Sequence, residues 1–76
     1  MFFSVRDINS SAIEECAVNL RDNQVLVKYN NSPKSYIYNN VDSGELIDFL
    51  AGEYSSVGKF VNAWCKDNFG PVTVIA

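Results

Sequence analysis

The sequence predicts an α+β fold: a three-stranded antiparallel meander followed by two helices packed on one of its faces. Three observations point there. Residues 24–30, QVLVKYN, alternate with period two, Val25, Val27 and Tyr29 on one side and Leu26 and Lys28 on the other, as a strand requires. Residues 57–65 place Val57, Phe60, Val61, Trp64 and Cys65 at the i, i+3, i+4, i+7, i+8 spacing of an amphipathic helix. The strand-like runs come first and are joined by tight turns, which favours pairing between consecutive, antiparallel neighbours.

The elements follow in order. In SSAIEECAVNL (10–20), Cys16, Val18 and Leu20 form one apolar face of a first strand, with Ile13, Glu15, Ala17 and Asn19 on the other. A helix opening at Ser11 competes there, because SAIEE contains the start of a capping box. RDN is a turn, and 24–30 is the second strand. NNSPK (30–34) is a loop, and KSYIYNN is the third strand, with Tyr36 and Tyr38 on one face. Asp42 and Glu45 open a helix that carries Leu46, Ile47, Phe49 and Leu50 and ends at Gly52. Ser55 or Ser56 caps the second helix, Phe60 and Trp64 enter the core, and FGP (69–71) stops the helix. The tail PVTVIA (71–76) is β-prone: it forms an extra C-terminal strand or frays.

Composition narrows the function classes. The chain of 76 residues makes a single domain over 1–76, with 47% hydrophobic residues to fill one core between two layers. A net charge of −3 argues against non-specific duplex binding, which needs clustered cations. There is no histidine, so Ser-His-Asp and Cys-His nucleophiles and the common zinc sets are excluded. Cys16 and Cys65 show no metal or redox spacing and are read as free, reduced and buried. MFFSVRDINSS lacks a signal-peptide apolar run, and no stretch is long enough to span a membrane, so a cytoplasmic location is expected.

The ordered set SSAI, VLVKY, YIYNNV and SSVGKFVNAWCK resembles the KTSC domain, a small domain found at the C-terminus of some lysyl-tRNA synthetases and as stand-alone bacterial and phage proteins. The resemblance covers about residues 9–69. It rests on Tyr36-x-Tyr38 and on Ser56, Gly58 and Phe60 opening the last helix. Two positions depart from the pattern: Asp42 stands where a proline usually follows the valine, and Val61 where many relatives carry a second aromatic. The family brings no established activity; attachment to a synthetase implies RNA binding only by neighbourhood.

Two constellations are candidate sites. Tyr36 and Tyr38 are either core residues packed on Phe49 and Trp64 or an open platform that stacks nucleobases, with Lys28 and Lys34 near the same sheet. SSVGK is either an ordinary helix cap or an anion site at which Ser55, Ser56, Gly58 and Lys59 receive a phosphate. The carboxylates suggest no acid–base pair, since Glu14 and Glu15 point oppositely on a strand and Asp42 and Glu45 serve the helix start. The expected protein is therefore a non-catalytic binding module without cofactor or metal. Its ligand is RNA or a phosphate-containing nucleotide. The alternative is a protein-interaction or inhibitor module, such as a phage protein that acts on a host factor or sequesters a nucleotide signal. Phe2, Phe3 and the tail are expected to pack on the sheet or to form a homo-oligomer contact.

Overall fold

A computed structural model describes residues 2–5, 12–53, 57–66 and 72–75. The fold is α+β. Strands β1 (Phe3–Ser4), β2 (Ile13–Asn19), β3 (Gln24–Tyr29) and β4 (Ser35–Tyr38) precede helix α1 (Ser43–Leu50). Helix α2 (Val57–Phe60) runs directly into a π-helical segment (Val61–Lys66), and β5 (Val72–Ile75) closes the chain. The sheet has five antiparallel strands in the order β1-β2-β3-β4-β5, two more than the expected meander. Both additions come from terminal segments. Phe3 and Ser4 pair with Val18 and Ala17, and the tail pairs Val72 with Tyr38 and Val74 with Tyr36.

Register assigns the faces. Val25 opposes Val18 and Tyr38, and Val27 opposes Cys16 and Tyr36, so these side chains share the face that meets the helices. That face joins Leu46, Phe49, Val57, Phe60, Val61 and Cys65 in one core. The opposite face carries Ala17, Leu26 and Ile37 in one cross-strand row, with Lys28 opposite Ser35 in the next.

The first strand departs from simple alternation. Ile13 pairs with Tyr29 and Glu15 with Lys28, so a bulge lies between Ile13 and Glu15. The extra residue shifts the phase. Ile13 therefore moves to the core face with Cys16 and Val18 and is buried, where strict alternation had placed it outside. Leu20 falls beyond the strand end, in the turn, and is exposed rather than continuing the face of Cys16 and Val18.

The turns use asparagine. Asn23, Asn31 and Asn40 adopt φ of 54°, 64° and 56°, the left-handed region that asparagine tolerates better than most residues. Buried Asn19 anchors the first turn. Its Nδ2 donates to Asp22 Oδ2 and Gln24 Oε1, and its Oδ1 accepts from the backbone N–H groups of Arg21 and Asp22. Every polar atom of that side chain is thus engaged, which is the condition for burying it.

Helix α1 is capped at both ends. The Asp42 carboxylate accepts from the Glu45 N–H at 3.1 Å. At the C-terminus Glu53 N–H reaches Asp48 O and Gly52 N–H reaches Phe49 O, with Gly52 at φ 87°. This is a Schellman closure, which needs a left-handed residue. Asp42→Ala is expected to cost about 1 kcal/mol in urea denaturation, because a helical N–H loses its acceptor.

The second helix departs from its expected face. Phe60, Val61 and Cys65 are buried, but Trp64 is 37% exposed. An α-helical spacing puts Trp64 near the centre of the apolar stripe. The π-helical winding from Val61 turns less per residue, because its bonds close i→i+5 rings. It carries Cys65 to the centre and rotates Trp64 to the rim. The Ser55 and Ser56 cap and the FGP stop lie outside the described residues.

Candidate functional site

Strand β4 places Tyr36 and Tyr38 together, on the helix-facing side. Tyr38 is buried, and Tyr36 packs half-buried against the core. Tyr29 reaches them along β3. Its hydroxyl lies 2.8 Å from that of Tyr38, and its ring meets Tyr36 edge-on at 5.7 Å and 64°. Three phenol rings therefore form one cluster, two of whose hydroxyls satisfy each other away from water. Burial raises the pKa of both Tyr29 and Tyr38, and the proximity of Cys65 pushes each further in the same direction. Both phenols stay neutral at physiological pH. They are donors and acceptors to one another, not bases.

Lys28 stands on the other face. Its Nζ meets Glu14 Oε2 at 3.0 Å, and that partner raises the Lys28 pKa, with a smaller contribution from Glu15. The sheet therefore separates Lys28 from Tyr36 and Tyr38 instead of gathering them. Of the proposed phosphate cradle, Gly58 is half-buried and Lys59 exposed, both on α2, while Ser55 and Ser56 lie outside the described residues.

Sequence reasoning missed what the bulge does to the carboxylates. Glu14 and Glu15 were expected on opposite faces; instead Glu14 binds Lys28 and Glu15 pairs with Lys28 across the strands. Both line an open recess of about 400 Å³ between β1 and β2, with Ser4, Val5, Cys16, Ala17 and Leu26. The available signal was the phase slip between Ile13 and Cys16, two core residues an odd number of positions apart. A second omission is the row of amides Asn19, Gln24 and Asn39. Gln24 Nε2 donates to Asn39 Oδ1 at 2.7 Å, and Asn39 Nδ2 to Thr73 Oγ1 at 3.4 Å, so the row ties β2 to β5. No group of three or more His, Cys, Asp or Glu able to hold a metal occurs among the described residues. Among them, too, no helix is long and apolar enough to cross a membrane.

The remaining polar chemistry is sparse, and the exposed apolar surface is not. On α1, Leu46 and Phe49 are buried while Ile47 and Leu50 are 60% and 45% exposed. At 3.6 residues per turn, the four residues from Phe49 round to Ile47 span about 160° of the helix surface. The core covers the Leu46 and Phe49 flank of that arc, and the Leu50 and Ile47 flank faces solvent. No family model matches the chain, and no curated protein matches it.

Proposed function

We propose that this domain is a non-catalytic protein-binding module whose contact is centred on the outer flank of α1. The observation that supports this most is the surplus of the apolar arc: Ile47 and Leu50, one turn apart, contribute apolar area that the fold itself does not bury. A partner that buries both gains about 1.5–3 kcal/mol for each side chain. The reading as a nucleotide or RNA binder draws less support. Its two aromatic residues face the helices, and its Lys28 sits across the sheet beside Glu14.

The test uses two arms. Wild-type protein and an Ile47→Glu/Leu50→Glu double variant serve as baits, and each captured protein is purified and titrated back. A saturable complex weakened at least tenfold by the double variant is the expected result, with the variant's circular dichroism unchanged. In the second arm, amide spectra are recorded with nucleoside triphosphates and short single-stranded RNA. Saturable, salt-sensitive shifts at Gly58, Lys59, Tyr36 and Tyr38 would replace the protein-binding reading with a phosphate-ligand one.

A further inference from the structure

Strand β5 is the free edge of the sheet: it pairs with β4 on one side and with nothing among the described residues on the other. An edge strand presents a row of unpaired N–H and C=O groups that accepts another strand. Soluble proteins blunt such edges with lysine, proline, bulges or short length. Val72–Ile75 contains neither charge nor proline, and its pairing with β4 runs without a register shift. All four residues are exposed, Val74 by 50%. The opposite edge, β1, is only two residues long.

We propose that two copies of this chain join edge to edge through β5, making a continuous ten-stranded antiparallel sheet across a twofold axis. The second copy is favoured over a foreign strand by charge. The chain carries −3, yet β5 carries none of it, so two like-charged copies can pair these strands with no charge on either one. Closure is the second argument. A β5-to-β1 contact would propagate as a filament and would have only Phe3 and Ser4 to pair with, whereas β5-to-β5 is self-complementary and ends at two.

Symmetry restricts the register. Edges that meet about a twofold must have that axis normal to the sheet, so the helices of both copies lie on one side. Directly opposed residues then share a face. A register centred on Thr73 meets this condition. It sets Val72 opposite Val74 of the second copy on the helix side, twice, and Thr73 opposite Thr73 of the second copy on the other. All of these are β-branched pairs, favourable in antiparallel sheets. Tyr36 and Tyr38, the inner neighbours of Val74 and Val72, would flank the seam from both copies. The contact is small, so the dimer is concentration-dependent and belongs with weak, transient interfaces.

Sedimentation equilibrium from micromolar to millimolar protein is expected to show a mass that rises towards twice that of the chain. Val74→Lys, which puts like charges across the seam, is expected to hold the monomer mass throughout while keeping its circular dichroism; Thr73→Lys gives the same reading should Val74→Lys fail to fold. A cysteine pair then tests the register. Under oxidised glutathione, Thr73→Cys is expected to form a disulfide-linked dimer at least tenfold faster than Ile47→Cys, an exposed control on α1. Monomer mass at millimolar concentration, or equal rates for the two cysteines, would overturn the proposal. A wild-type monomer that binds an added strand peptide of different sequence would assign the edge to a foreign partner instead.

Discussion

Phe60→Ala is expected to remove most of the stability of this domain. Phe60 is fully buried, and its ring stacks on that of Phe49 with centroids 4.2 Å apart and planes within 5°. The pair is where α1 and α2 meet, so the side chain joins the two helices as well as filling the core. Truncating a buried phenylalanine to alanine costs about 3–5 kcal/mol, through lost transfer energy and the cavity left behind. A domain of this length holds about 4–11 kcal/mol in total. Urea denaturation should therefore show the midpoint collapsing towards zero denaturant, with the variant partly unfolded in buffer at 25 °C. Phe60→Leu keeps most of the volume and loses the ring stack, and should fall less than half as far. Trp64 is a convenient reporter because it sits at the rim of the same helix. A loss under about 1 kcal/mol for Phe60→Ala would mean that the helices collapse onto the vacated space and that the stack does not organise the core.

Period-two alternation made the sheet centre legible. Gln24–Tyr29 and Ser35–Tyr38 are short, β-branched or aromatic, and flanked by asparagine-rich turns, and the structure pairs them in register. Helix α1 was legible from Asp42 and Gly52, which cap it in sequence and in space. The departures have local causes that alternation and helical spacing do not encode. One residue inserted in β2 re-phased Ile13 and brought Glu14 and Glu15 to Lys28. A change of helical winding at Val61 exchanged the places of Trp64 and Cys65. Strand β1 is two residues long, too short for any periodicity, and exists because β2 offers it an edge.

The candidate site was less legible than the fold. Spacing of two put Tyr36 and Tyr38 on one face but left open which face, because face assignment depends on the cross-strand partners. Val25 and Val27 decide it. Lys28 is next to Val27 in sequence and opposite to it in space, the ordinary consequence of the pleat. Tyr29 was read only as a strand residue, yet its hydroxyl completes Tyr38. The outer flank of α1 was visible as Ile47 and Leu50 in an apolar run, but its exposure follows from how much of the helix the core covers.

The same core is expected to make the protein unfold in alkali well before its backbone is damaged. Cys16 and Cys65 are both buried, and burial pushes each thiol from its ordinary value of 9.0 to about 12, with Cys16 adding to the effect at Cys65. Burial raises Tyr29 and Tyr38 from 10.0 as well. An unfolded chain releases these protons at the ordinary values, whereas the folded chain holds them. Above pH 9 the unfolded state therefore binds fewer protons than the native one, and stability falls as pH rises. Each fully differential group contributes about 1.4 kcal/mol per pH unit, so the two thiols together reach about 3 kcal/mol per unit above pH 9. The phenols add to the loss from pH 10, and by pH 11 the thiols alone have removed about 5 kcal/mol, a large part of the roughly 4–11 kcal/mol that a domain of this length holds. Below pH 8 none of the four contributes any slope. Urea denaturation at intervals from pH 8 to 12 measures this directly. A Cys16→Ala/Cys65→Ala variant is less stable at pH 7 but should have a flat profile to pH 10, where the phenols alone begin to act. Thiol reagents should label wild-type protein only at the rate of unfolding. If wild-type stability instead stays level from pH 9 to 11, the thiols titrate as readily folded as unfolded, and the interface between β2 and the π-helical segment admits water.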